Sequence, residues 1–90
     1  MIEPPLGFEV RAVGLEPGGH RVYNEAEWGD AIVVIRSGEI ELECVGGARR
    51  RFRRGDLLWF AGLPLRALHN CGEDPVLLVA VSRALGDRTF

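Results

Sequence analysis

An all-β fold of eight short strands is what this 90-residue sequence predicts. Three observations carry the expectation. Turn signals arrive at short, regular intervals, EPGG at 16–19, SG at 37–38, GG at 46–47, GD at 55–56, GLP at 62–64 and CGEDP at 71–75, and that rhythm belongs to β structure. The runs between them are rich in Val, Ile, Leu and aromatic residues, and glycine interrupts them too often for good helices. Finally, Ile40, Leu42 and Cys44 alternate with Glu39, Glu41 and Glu43, the period of two that marks a strand with one buried face.

The elements follow from these signals in order. A strand over 8–15 stops at EPGG, and one over 20–23 leaves it. The run AIVVIRS makes a strand over 31–37 that turns at SG into the alternating strand over 39–45. Across the glycine pair lies a strand over 49–54, and pairing Leu42 with Phe52 sets apolar residues opposite one another. That register leaves Gly46, Gly47 and Ala48 as a three-residue loop, a length that uses glycine in the left-handed conformation. It also sets Glu43 against Arg51 and Glu41 against Arg53, pairs worth about 0.2 to 1 kcal/mol each. LLWF follows the GD turn as a strand over 57–60, LRALHN follows GLP over 65–70, and VLLVAV closes the chain over 75–82. Eight such strands form a sandwich or a closed barrel, and closure removes exposed edges.

Length and charge bound the function. Ninety residues support one domain, 1–90, because two cores would leave each half too small to cover its apolar side chains. A formal net charge of −2 gives no bulk attraction for nucleic acid or an anionic membrane. The conspicuous RRRFRR at 49–54 reads as a solvated hairpin strand beside its acidic partner, not as a phosphate-binding patch. The opening residues lack the basic end and apolar run of an export signal, and the most apolar runs, AIVVI and VLLVAV, fall far short of the roughly 20 residues of a membrane helix. A soluble, cytoplasmic protein is expected, with no nucleic-acid or membrane partner. Cys44 and Cys71 form no CxxC pair and are expected as free thiols.

The order of elements resembles a cupin, the double-stranded β-helix or jelly-roll barrel. AIVVIRSGEIEL at 31–42 resembles the end of the family's first motif. Gly55, Asp56, LLWF, AGLP, LRALHN, Gly72 and Pro75 resemble its second, and the resemblance covers about residues 14 to 82. In metal-binding cupins the ligands are a His-x-His pair, a glutamate and a later histidine. Counting from Gly38 and Gly55, these fall on Glu25, Glu27, Ala31 and Arg66. The resemblance therefore implies the fold with a degenerate metal site, no cofactor and a homodimer, as small relatives tend to be.

Two carboxylates about 5 Å apart repel by roughly 3 kcal/mol at an effective dielectric near 20. Glu25 and Glu27 facing one cavity would need a cation, and Arg66, always protonated and a poor metal ligand, is expected to supply it as an ion pair inside the barrel. A shift by one residue would bring Asn24 and Ala26 inward instead. The competing site joins His20 and His69 to one of the glutamates as a two-histidine, one-carboxylate set. Strand parity opposes it, since Arg66 and Leu68 pointing inward would turn His69 outward. The expected function is binding of a small polar or anionic molecule in the barrel, lined by Tyr23, Glu25, Glu27, Trp59, Arg66 and Asn70, with Trp28 as a further aromatic wall. The resemblance also allows a cupin enzyme, either an isomerase or epimerase that works without a metal, with Tyr23, His20 and the two glutamates as acid/base candidates, or a metal-dependent dioxygenase with relocated ligands; a third alternative is a regulatory role through a protein partner.

Overall fold

A computed structural model describes residues 7–83. All eight strands form: β1 (Phe8–Leu15), β2 (His20–Val22), β3 (Ile32–Ser37), β4 (Glu39–Cys44), β5 (Arg49–Arg53), β6 (Leu57–Trp59), β7 (Leu65–His69) and β8 (Val76–Arg83). One short helix, α1 (Glu25–Trp28), joins β2 to β3 where the sequence predicts only a loop. The strands make two four-stranded sheets, ordered β1-β8-β3-β6 and β2-β7-β4-β5, with antiparallel pairing throughout. This is the double-stranded β-helix, its two sheets facing one another without closing into one hydrogen-bonded barrel.

The inner faces hold the core. Val13 and Leu15 of β1, Val33 and Ile35 of β3, and Leu78 and Ala80 of β8 are buried against Ile40 and Leu42 of β4 and Leu65 and Leu68 of β7. Each fully buried aliphatic side chain of this kind stabilises by about 1.5 to 3 kcal/mol. Phe60 sits centrally, with Trp28 edge-on at 5.1 Å between ring centroids and Tyr23 edge-on at 6.0 Å. Large side chains therefore fill the space between the sheets.

The β4–β5 hairpin pairs differently from the expectation. Phe52 lies opposite Ile40, and Leu42 lies opposite Arg50. The turn is Val45 to Gly47, closed by bonds from Gly47 N to Cys44 O (2.9 Å) and from Cys44 N to Ala48 O (2.8 Å), with Gly47 at φ 96°. Electrostatics explains the shift. The observed register sets Glu39, Glu41 and Glu43 against Arg53, Arg51 and Arg49, three opposite-charge pairs where the expected register makes two. Leu42 loses nothing, because Leu68 of β7 lies opposite it on the other side. Parity is unchanged, so the buried face is the one the sequence predicts.

Two residues fasten the strand ends. Gly38, at φ 82°, joins β3 to β4 so tightly against the β8 start that a Cβ there would lie 2.6 Å from Pro75 O. Asn70 is buried, and its Nδ2 donates to Leu15 O (3.0 Å) and Asp74 O (2.8 Å) while its Oδ1 accepts from Gly72 N (3.0 Å). Among the described residues no helix is long and apolar enough to cross a membrane.

Candidate ligand site at the sheet end

The loop after β2 folds into α1 because its ends are satisfied locally. Asn24 caps the helix, its Oδ1 accepting from Ala26 N at 2.9 Å, and Gly29 at φ 54° ends it by donating to Glu25 O at 2.7 Å. A side-chain cap of this kind stabilises by roughly 1 kcal/mol. The helix lays Trp28 into the core and sets Glu27 beside two arginines. Arg11 Nη1 donates to Glu27 Oε2 at 3.1 Å, Arg11 Nη2 donates to Glu27 O at 3.1 Å, and Arg21 Nε donates to Glu27 Oε1 at 3.3 Å while its Nη2 meets Oε2. The Arg21 hydrogen bond holds the Glu27 carboxyl below its ordinary range, with Arg11 adding to the effect and burial opposing it. Bonding to Glu27 in turn raises the Arg21 guanidinium. Arg11 also stacks over the Trp28 ring, 5.0 Å from its centroid, a cation–π contact.

Beside this triad lies a concavity of about 460 Å³ bounded by Glu9, Glu27, Trp28, Asp30, Ser82 and Arg83. Three carboxylates and one guanidinium edge it, with an indole as its apolar element. Trp28 Nε1 is buried and meets no hydrogen-bond acceptor among the described residues. Tyr23 packs against Phe60, and burial, with the Glu25 carboxylate as second cause, raises its phenol so that the neutral form is held.

The structure corrects several expectations. Arg66 does not enter the core: its side chain is 59% exposed, its Nη2 donates to Val45 O at 3.2 Å and its Nε lies 3.9 Å from Glu43 Oε2. A register shift between Glu43 and Cys44 in the β4–β7 ladder accounts for this, since it pairs Ala67 with Glu43 and Leu65 with Cys44 and passes over Arg66. The expected ion pair from Arg66 to Glu25 and Glu27 is therefore absent, and Arg11 and Arg21 take that role at Glu27. Glu25 and Glu27 do not face one cavity together, because on a helix residues two apart point about 200° from one another. Glu25 is exposed. Trp59 lies on the outer face of the β1-β8-β3-β6 sheet, 62% exposed. Asn70 spends its polar atoms on the backbone.

His69 does point out of the core. Its Nε2 lies 2.7 Å from Glu43 Oε1, and its ring stacks on His20 at 5.8 Å between centroids. Both histidines thus gather with Glu43 on the outer face of the β2-β7-β4-β5 sheet, away from Glu25 and Glu27. Among the described residues no group of three His, Cys, Asp or Glu is placed to hold a metal ion. The positions where metal-binding relatives keep ligands do not fit one: Glu27 is bound by two arginines, Ala31 has no donor atom and Arg66 faces outward. Cys44 and Cys71 are both free, Cys44 packed against the core and Cys71 donating to Glu41 Oε1 at 3.6 Å.

Arg11, Arg21, Glu9, Asp30 and Ser82 are not among the expected site residues. Two of them carry a readable signal: Arg11 shares the inward parity of Val13 and Leu15, and Arg21 shares that of Tyr23.

No family model matches the sequence, and comparison with curated proteins finds no match. Solved structures do resemble it. The cupin domain of an XRE family transcriptional regulator from Enterobacter cloacae is 28% identical, with a TM-score of 0.67 over 84% of this chain and 80% of that one. A cupin barrel domain protein from Salinispora arenicola is 24% identical, with a TM-score of 0.69 over 96% of this chain and 72% of that one. A sugar phosphate isomerase of the cupin superfamily from Silicibacter pomeroyi is 26% identical, with a TM-score of 0.63 over 87% of this chain and 52% of that one. Motif order, sheet topology and these likenesses agree: the chain is a small cupin-like protein.

Proposed function

We propose that this protein binds a small polar organic molecule, rich in hydroxyl or amine groups, in the concavity beside α1. The observation that carries this reading is the lining. Glu9 and Asp30 offer carboxylate acceptors, Ser82 a hydroxyl, Arg83 a donor fork and Trp28 an apolar wall, around about 460 Å³, a volume in the range that holds small ligands. The excess of carboxylates there favours hydroxyl and amine donors over a pure anion. An anion would have to displace Glu27 from Arg11 and Arg21, contacts that are already made. The packed core favours this end of the sheets over their interior.

A second reading draws on Tyr23. A phenol kept neutral by burial and by Glu25 is suited to donate a proton, and likeness to a sugar phosphate isomerase gives that chemistry a precedent on this fold. This second reading centres on Tyr23, which packs against Phe60 and does not line the concavity.

The two tryptophans make the test direct, because Trp28 edges the concavity while Trp59 lies on the opposite side of its sheet. Polyols, amino acids and dicarboxylates of similar size are each titrated into the nitrogen-15 labelled protein while both indole N–H resonances are followed. A polyol or amino acid is expected to move the Trp28 resonance with a Kd below about 1 mM, a binding free energy near −4 kcal/mol, and to leave Trp59 in place. The reading fails if all three classes leave Trp28 unmoved at 10-fold higher concentration, or if the shift persists undiminished in Glu9→Gln/Asp30→Asn.

A further inference from the structure

The outer faces of the two sheets differ in kind. Register sets rows of valine, isoleucine and leucine across the β1-β8-β3-β6 sheet, Val10, Val81 and Ile32 in one and Val79, Val34 and Leu57 in the next. Across the β2-β7-β4-β5 sheet it sets nitrogen and oxygen donors instead. His20 of β2 stands directly opposite His69 of β7, and His69 stands directly opposite Glu41 of β4. These are the two histidines of the chain, and their rings lie 5.8 Å apart between centroids. The carboxylates beside them are differently engaged. Glu41 Oε1 accepts from Arg49 Nη1 at 2.6 Å and from Cys71 Sγ at 3.6 Å, and its Oε2 accepts from Arg51 Nε at 3.3 Å. Among the described residues Glu43 has a single close side-chain partner, His69 Nε2 at 2.7 Å, while Arg49 and Arg66 approach it only to 3.7 and 3.9 Å. Glu43 is therefore the carboxylate with bonding capacity to spare.

We propose that His20, His69 and Glu43 form a surface site for one divalent cation of the zinc class, outside the barrel and away from the positions where metal-binding relatives keep their ligands. Two imidazole nitrogens and one carboxylate suit zinc, nickel and copper better than magnesium or calcium. The three groups do not converge on one point as the chain stands, but the shift that brings them together is small. A tetrahedral zinc, bonded to nitrogen and oxygen at about 2.1 Å, holds its donor atoms about 3.3 Å apart and the centroids of two bound imidazoles about 5.2 Å apart. Starting from 2.7 Å between Glu43 and His69 and 5.8 Å between the rings, each separation changes by less than about 1 Å. His20 is exposed on the edge strand of its sheet, so its ring is at liberty to turn a nitrogen toward that point. The ion takes the place of the hydrogen between Glu43 Oε1 and His69 Nε2. With the ring proton on Nδ1, Nε2 offers its lone pair, the imidazole stays neutral, and Glu43 supplies the one negative charge, leaving water to complete the shell. Arg49 and Arg66 oppose the ion's charge, which keeps the affinity moderate, and the bond to Glu41 draws Arg49 aside. The three-residue strand β2 pairs only with β7 and carries, next to His20, the Arg21 that bonds to Glu27. A bound ion ties that strand to β7 and β4 together.

The test titrates zinc alone into the untagged full chain near pH 7.5, with the thiols kept reduced, by calorimetry and by the nitrogen-15 resonances of the two imidazoles. One ion per chain is expected with a Kd of about 10 µM, weaker than a four-ligand structural site, and with the ring nitrogens of both His20 and His69 moving. His20→Ala and Glu43→Gln are each expected to weaken binding at least 10-fold, and Cys71→Ser to leave it unchanged. Because the wild-type imidazole signals are read directly, the result stands even where a variant loses its fold. The proposal is overturned by imidazole signals that stay in place at about 1 mM zinc, by binding that either His20→Ala or Glu43→Gln leaves undiminished, or by binding that Cys71→Ser abolishes.

Discussion

At Glu27 one carboxylate answers two guanidinium groups, and the contrast with Arg66 shows how far burial decides the value of a charge. The Glu27 side chain is 21% exposed, with Arg11 and Arg21 closing on it, whereas Arg66 is 59% exposed and reaches Glu43 only at 3.9 Å. Replacing Glu27 by Gln removes the charge from a partly buried cluster and leaves two arginines facing each other. We expect a loss of about 1 to 2 kcal/mol at pH 7, the lower part of the range for charged hydrogen bonds because both arginines are partly solvated. Arg66→Ala is expected to change stability by less than about 0.5 kcal/mol. Because the folded Glu27 carboxyl sits below its ordinary 4.5, its stabilisation is present above that value and is lost as pH falls through the folded value. Urea unfolding at pH 7 and at pH 3 checks both statements: the Glu27→Gln deficit should be large at the first and shrink at the second, and Arg66→Ala should track the wild type at both. The sequence shows that a cation must compensate the glutamate. It does not show which arginine, because that depends on a ladder shift opposite Cys44 and on a helix of one turn.

At the scale of elements, local chemistry is legible where it repeats and obscure where it is tertiary. The alternation from Glu39 to Cys44 names the buried face of β4 correctly, and the eight strand positions follow from glycine and proline spacing. The hairpin register does not follow, since apolar matching and charge matching favour different alignments and Leu68, remote in sequence, decides between them. Nor does α1 follow. A four-residue helix is far below the length that forms by propensity, and it exists because Asn24 caps it and Trp28 is buried beneath it. Turn glycines give the matching test. Gly38→Ala adds a Cβ 2.6 Å from Pro75 O at a positive φ, so clash and backbone strain combine and a loss of about 2 to 4 kcal/mol is expected. Gly47→Ala is placed at φ 96° in open space and should lose about 1 kcal/mol from strain alone. Thermal unfolding of the two variants separates contact from conformation.

For the whole molecule, the fold can be read from motif order and the face of each strand from its pattern, and the sequence reading expects a ligand inside the barrel. The aromatic volume of Trp28, Phe60 and Tyr23 fills that space, and polar groups gather at its end. The outward rows of valine, isoleucine and leucine are invisible as a feature until register aligns them across four strands. A homodimer of the kind the resemblance implies would link stability to concentration. The unfolding temperature should then climb by several degrees between 5 and 200 µM protein, as differential scanning calorimetry can record. One more property follows from the β1–β8 ladder, in which Phe8 stands directly opposite Arg83. Joining residues so close needs only a brief tether, so the order of strands can be rewritten by stitching that corner shut and cutting at Gly46. A second protein could also carry this fold as an insert in one of its own surface loops, entering and leaving through the same doorway.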